Sequence, residues 1–276
     1  TSTGHITAIS ESRRDDSSGL GRRVGLVLIM LAVAWVVFGQ IRSHGFVNWD
    51  DDDHILGNPH FKPVTLQKVI RHTWVDPYNK DRYMPVTYSF WALEAYIDQQ
   101  ISGQPTRHSP PIFHLGSLLL HSLCTFLMFI ILNRFVPSVA ACLGALLFAL
   151  HPLQVESVAL ISGTDVLLSG LFSLVAIWQY MCFVTRTRSA PSSAGFSSVW
   201  LPRHWFHYAL ATTCLALALL SKPTAASVPL IVLVIDRWQF NRPLRQSLVS
   251  VSPWLLIVAV FAVTMALREN DSVLGH

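Results

Sequence analysis

The chain has 276 residues, of which 51% are hydrophobic and only 13% charged, with a mean hydropathy of +0.43. A typical soluble domain carries about 25% charged residues, so an ordinary soluble enzyme is excluded, and so is a disordered chain, which would have the opposite composition. The net charge of +4 would suggest nucleic acid if the basic residues lined one face of a soluble domain; here they sit between apolar runs, which speaks against that partner.

The chain begins with a polar tail, residues 1–23, that ends in Arg22 and Arg23. The next 18 residues, 24–41, contain no charge, and the basic flank assigns the tail to the cytoplasm. A cleaved signal peptide is the alternative; the run is 18 residues long and no small-x-small site stands at the Ile41–Arg42 exit, so an uncleaved first span is expected.

Residues 42–111 form the one long polar region, expected as a large external loop, and it holds half of the 16 acidic residues. Two amphipathic helical segments are expected in it. Leu66, Val69, Ile70 and Trp74 recur at helical spacing after a candidate N-cap at Thr65; Val86, Phe90, Leu93 and Ile97 recur in the second. With Tyr88, Trp91 and Tyr96 at headgroup level, both could lie flat on the membrane face; packing of a small subdomain would give the same pattern.

Further apolar runs cover 112–132, 138–150, 166–184, 206–220, 225–235 and 247–267. Three are shorter than the roughly 20 residues of a full helical crossing. Alternate crossings place 133–137, 185–205 and 236–246 inside, where Arg134, Arg186, Arg188, Arg203, Arg237, Arg242 and Arg245 gather. The short external connections hold only Lys222, so the count predicts an all-α polytopic protein with about seven spans in a membrane domain over 24–267. Residues 185–205 read as a flexible linker and 268–276 as an external tail, truncated if the chain is a piece of a longer protein. Cys124, Cys142, Cys182 and Cys214 lie inside apolar runs without metal-site spacing and read as packing residues.

Few polar groups are left to carry chemistry. Asp50, Asp51, Asp52, Asp53 and His54 lie just beyond the first span. Such a run is a solvated turn, a site for a divalent cation on oxygen ligands (Asp52, Asp53 and His54 among them), or the source of a catalytic carboxylate that deprotonates an acceptor hydroxyl. His151, Glu156, Asp165 and Lys222 all fall at span borders on the same expected face, where ionisable residues mark pathways or sites. His114 and His121 share one face of the second span; a helix-contact role is expected for His121.

These residues also fall into an ordered set of blocks. They are Phe46-Val47-Asn48-Trp49-Asp50-Asp51-Asp52 with Ile55 and Asn58-Pro59; Tyr83-Met84-Pro85-Val86-Thr87; His114-Leu115 with Leu118-Leu119-Leu120-His121; and Phe148-Ala149-Leu150-His151-Pro152 with Val155-Glu156-Ser157-Val158. Asp165-Val166-Leu167 and Leu219-Leu220-Ser221-Lys222-Pro223 with Pro229 and Asp236 follow. Over about 46–236 the chain resembles membrane glycosyltransferases of the C-type fold, nearest to the transmembrane O-mannosyltransferases with tetratricopeptide repeats and their bacterial relatives. It departs from them at Met84 and at Gly163-Thr164, where that family commonly has basic residues, and it contains no repeats. It would thus be an N-terminal membrane part or a repeat-free branch.

The resemblance implies transfer of a mannose-like sugar, with inversion, from a polyprenyl-phosphate donor to an acceptor hydroxyl on a polypeptide or glycan at the external face. It places the protein in a bacterial inner membrane or the endoplasmic reticulum membrane. An acidic residue of the first external loop would be the general base: Asp51, supported by Asp50. Lys222, His151 and Arg82 would contact the donor phosphate, with Glu156, Asp165 and His114 in support; a divalent cation is an optional cofactor. A non-catalytic scaffold, lipid carrier or transporter is the alternative, but a transporter would place its ionisable groups near the midplane rather than at one face.

Overall fold

The computed structural model describes residues 3–48, 50–77, 83–189 and 203–274, and among them the secondary structure is entirely helical. The long helices are α1 (Thr3–Phe38), α3 (Pro85–Ser102), α4 (Pro110–Leu132), α7 (Thr164–Ser189), α8 (Arg203–Ser221) and α10 (Leu244–Leu274). Shorter ones are α2 (Leu66–Val69), α5 (Ser138–Ala149), α6 (Gln154–Ala159) and α9 (Val228–Trp238). Four stretches are long and apolar enough to cross a bilayer: Leu20–Ser43, Pro110–Leu132, Thr164–Arg188 and Leu244–Arg268. They mark the chain as part of an integral membrane protein.

The remaining expected spans differ from the sequence reading in length. α5 has 12 residues and α9 has 11, so at about 1.5 Å per residue neither covers a 30 Å hydrocarbon core alone. The run over 225–235 is broken, because Pro223 opens a separate 3-10 segment, Pro223–Ser227, before α9 begins. The expected tail over 268–276 is helical as far as Leu274, since α10 runs on past the apolar window. Most of the expected linker, residues 190–202, lies outside the described residues.

Along α1, α4, α5, α7, α8, α9 and α10 the chain reverses direction at each step, with the short α5 and α9 included. Trp35 Nε1 donates to Ser122 Oγ (2.9 Å), joining the end of α1 to the first half of α4. His121 bonds the carbonyl of Ala149 (3.1 Å), joining α4 to the end of α5. α7 and α8 form the most extensive pair and are antiparallel: Phe183 meets Trp205 and Tyr208 at one end, and Ser169 donates to the Lys222 carbonyl (3.4 Å) at the other. Tyr208 and Thr212 bond Ser250 and Trp254, so α10 runs parallel to α8. One end of the bundle therefore collects the end of α1, the starts of α4 and α7, α6, the end of α8 and the far turns of α10.

The core is distributed along this bundle. Tyr180, Leu215, Val232 and Trp254 centre one cluster among α7, α8, α9 and α10. Met30, Phe129, Ala141 and Ala145 centre another between α1, α4 and α5, where small residues let the helices approach closely. A third lies under the 42–111 loop: Ile55, Phe61, Tyr88, Trp91, Phe113 and Ile161.

That third cluster corrects the expectation for the amphipathic segments. Thr65 does cap the first, its side chain accepting from Lys68 N (3.3 Å), but α2 is one turn long and continues as a π-helical turn, Ile70–Val75, with Leu66, Ile70 and Val75 exposed. On α3, Leu93, Tyr96 and Ile97 face outward as expected, whereas Tyr88 and Trp91 are buried rather than at a surface. The reason is a second inward face. Tyr88 hydroxyl bonds His54 Nδ1 (2.7 Å), and the Trp91 ring stacks on His54 with centroids 5.8 Å apart.

Candidate active site

A cavity of about 510 Å³ opens at the end of the bundle where those termini meet. Asp50 enters it from the 42–111 loop, Glu156 from α6, Asp165 from the first turn of α7, Lys222 from the end of α8 and Arg268 from α10. Tyr83, Met84 and Trp91 supply aromatic and apolar wall. Sequence positions more than 200 residues apart thus share one chamber.

Each charged residue is placed by a local cause. Lys222 stands between the last turn of α8 and Pro223; the residue before a proline is driven out of the helical region, and Lys222 is extended, at φ −157° and ψ 132°. Its strand of backbone is fixed from two sides, because Thr87 donates to the Ser221 carbonyl (3.0 Å) and Ser169 to that of Lys222. Asp165 sits in the first turn of α7, where a carboxylate is favoured by unsatisfied N–H groups; its Oδ1 accepts from Val166 N (2.6 Å). Its Oδ2 lies 2.9 Å from Lys222 Nζ, an ion pair whose lysine side chain is 32% exposed.

Asp50 and Asp51 differ sharply although they are neighbours. Asp50 lines the cavity and is half-buried. Asp51 is 1% exposed, and both its oxygens are engaged: Oδ2 accepts from Val47 N (3.0 Å) and Oδ1 from Ser162 N (2.7 Å). Asp51 thereby pins the loop after α1 to the turn before α7. Asp52 and Asp53 point to a separate shallow depression shared with Asn48 and Asp50, while His54 turns inward to Tyr88 and Trp91. The three residues named for a cation therefore do not converge, and among the described residues no group of three or more His, Cys, Asp or Glu is placed to hold a metal.

His151 and His114 stand outside the chamber. His151 is exposed, and its Nδ1 accepts from Leu153 N (3.2 Å), which shapes the turn into α6. His114 is buried beside His44, their rings edge to face at 6.5 Å. Arg82 lies outside the described residues.

The two departures from the family pattern have physical explanations. Met84 is buried, packs in the loop cluster and forms cavity wall. A Cβ on Gly163 would stand 2.8 Å from the Ser157 carbonyl oxygen and 2.9 Å from its Cα, so no side chain fits there without moving backbone. Thr164 is fully buried and its hydroxyl donates to the Ile161 carbonyl (2.8 Å). The cation that sequence reasoning missed is Arg268. Its signal was being the first charge after the last apolar run, on the face where the other charges lie; reading it as the start of a tail hid it.

Beside the chamber, α3 carries Glu94 against Gly116 of α4. Both carboxyl oxygens are buried without a hydrogen-bond partner among the described residues, and burial pushes its pKa well above the ordinary carboxylate range.

No family model matches the chain, and no solved structure does. Among curated proteins it is 27% identical over 196 residues to protein O-mannosyl-transferase TMTC3 of Homo sapiens and 28% identical over 196 residues to that of Mus musculus, in each case over 68% of this chain. It is 28% identical over 171 residues, 57% of the chain, to protein O-mannosyl-transferase F38B6.6 of Caenorhabditis elegans. The matched stretch spans about a fifth of the length of these relatives, 20% for the mammalian proteins and 23% for the nematode one. The chain is thus a distant homologue of proteins named as protein O-mannosyltransferases.

Proposed function

We propose that this chain is the membrane part of a glycosyltransferase that moves mannose from a polyprenyl-phosphate donor to a hydroxyl on a protein acceptor, at the external face of its membrane. The observation that carries this reading is the meeting of Asp50 with Lys222 in one cavity at a single end of an apolar bundle. The names of the relatives supply the sugar and the acceptor class. Charges that gather at one end of the helices suit chemistry at a membrane surface. In the seven-pass arrangement that the arginine distribution favours, that end is external.

The reaction needs a base, an electrophile and a leaving group. Asp50 takes the proton from the acceptor hydroxyl as its oxygen attacks the anomeric carbon. The bond from that carbon to the phosphate oxygen breaks, polyprenyl phosphate departs with the electron pair, and the sugar inverts. Asp51 is the positioning residue: with both oxygens committed to backbone N–H groups, it fixes the loop that presents Asp50. This exchanges the roles that the run of four aspartates suggested. Lys222 offsets charge gathering on the departing phosphate, an effect strongest in a water-poor chamber. Asp165 holds Lys222 until the donor arrives.

The test is transfer of radiolabelled mannose from polyprenyl phosphate to acceptor peptides by membranes bearing wild type, Asp50→Asn or Asp51→Glu. Asp50→Asn should abolish transfer. Equal transfer by wild type and Asp50→Asn removes Asp50 as base, and no transfer by wild type removes the reading itself.

A further inference from the structure

We propose that Arg268 on α10 is the residue that grips the phosphate of the lipid-linked donor, with Tyr83 as its positioning residue; the inference rests on the sugar-transfer reading above. Arg268 lies outside the stretch that resembles known glycosyltransferases, and the three cations singled out in the sequence did not include it.

Among the described residues Lys222 and Arg268 are the lysine and arginine that line the cavity, and their states differ. Lys222 already has a counter-ion in Asp165. Among the described residues Arg268 makes no ion pair; its guanidinium carbon instead stands 4.2 Å from the centroid of the Tyr83 ring. A guanidinium lying over a ring spends its face on the π-system and leaves the edge N–H groups available. Those donors form a planar fork that matches two phosphate oxygens at once, which an ammonium group cannot do.

The support behind Arg268 is built in. Tyr83 hydroxyl donates to the Trp74 carbonyl (3.2 Å), and Trp74 Nε1 donates to Ser89 Oγ (3.0 Å) on α3, so the ring is anchored from two elements of the loop. On α10, residues 259–268 are exposed apart from Phe261 and Met265, which are half-buried and one helical turn apart. Arg268 follows Met265 by three residues on the same face, and both line the cavity. The far turns of α10 therefore form a single wall of the chamber. Over residues 259–267 its other faces carry Ala, Val and Leu with Thr264 the one polar side chain, a surface that suits a helix beside the lipid of the donor.

The probe is farnesyl phosphate, a short isoprenoid monophosphate, titrated into the purified protein in detergent by thermophoresis, with inorganic phosphate as a second arm to separate a lipid-linked from a free anion. Arg268→Gln should weaken farnesyl phosphate binding by about tenfold and Arg268→Lys by about threefold, since lysine keeps the charge and loses the fork. Tyr83→Phe, which keeps the ring face and loses the hydroxyl anchor, should weaken binding less than Tyr83→Leu, which should follow Arg268→Gln, a contrast that a merely structural tyrosine would not give. In the transfer assay Arg268→Gln should raise the donor KM more than it lowers kcat. Unchanged binding in Arg268→Gln, no binding by wild type, or equal weakening for inorganic phosphate alone overturns the proposal. If wild type transfers mannose and Arg268→Gln binds normally, only this inference falls; if wild type binds through Arg268 but transfers nothing, the sugar-transfer reading falls and the lipid-phosphate site stands.

Discussion

Asp165 with Lys222 and Asp236 with Arg242 are the same pairing of carboxylate and cation at opposite ends of one bundle, in opposite settings. At the far end, Asp236 is fully buried; its Oδ2 accepts from Arg242 (2.8 Å) and from the Tyr180 hydroxyl (2.8 Å), and Arg242 also donates to Ser250 Oγ (3.1 Å). There α7, α9 and the turn into α10 are locked by a network with most of its donors and acceptors paired inside the protein. At the cavity end, Lys222 has one carboxylate partner and a side chain open to the chamber. A buried pair costs stability when broken and does nothing else; an open pair costs little to break and can trade one partner for a ligand. Location rather than residue type separates a structural charge from a working one in this chain.

The comparison can be broken in several ways, the largest at the base. Asp50→Asn should lower transfer by at least about a hundredfold, the low end for loss of a general base, while thermal unfolding in detergent stays near wild type. A large drop in unfolding temperature would make Asp50 structural and erase the contrast. Next, Asp236→Asn should destabilise by about 3 kcal/mol, as expected when one partner of a buried pair is removed, and the folded fraction should keep wild-type kcat. A stable Asp236→Asn protein with reduced kcat would bring the far end into the mechanism. Gly163→Ala should cost about 1–3 kcal/mol, because the new Cβ meets backbone at 2.8 Å, and should lower transfer by moving Ser162 and Asp165 together. Lys222→Met should change stability by less than about 1 kcal/mol and lower kcat instead, since the charge it offsets develops as the phosphate departs.

The smallest effect sharpens the comparison through pH. Burial raises the pKa of Glu94, so between the ordinary carboxylate range and that raised value the folded chain holds a proton that the unfolded chain has lost. Its contribution is complete below the unfolded pKa and falls as pH rises toward the folded one. Glu94→Gln should therefore flatten the decline in unfolding temperature as pH rises above the ordinary carboxylate range. An unchanged slope would show that Glu94 is hydrated rather than dry.

Which parts of this were visible in the chain follows from where information resides. Charges are rare in an apolar sequence, so Asp50, Glu156, Asp165 and Lys222 stand out at the borders of apolar runs, and all four line one cavity. The different settings of Asp50 and Asp51 were not legible in the sequence because four identical residues carry no pattern, and the burial of Asp51 depends on a contact with Ser162, 111 positions away. The place of His151 outside that lining was hidden for a related reason: its Nδ1 is engaged by Leu153 N in a local turn. α3 misled because it has two apolar faces, and periodicity found the outer one while Tyr88 and Trp91 fill the inner one. The number of crossings was read from run lengths, which cannot show that the first residues of 225–235 belong to a separate 3-10 segment, Pro223–Ser227.

The hydrogen bond from Ser162 N to Asp51 Oδ1 has a mechanical consequence. Ser162 is three residues before Asp165, and Asp165 holds Lys222, so the residue next to the proposed base and the proposed phosphate counter-ion are joined by one hydrogen bond, three peptide units and one ion pair. Thermal drift of the 42–111 loop then carries base and counter-ion together. In the proposed reaction the spacing between base and counter-ion is then set by the fold rather than by whichever acceptor enters the chamber.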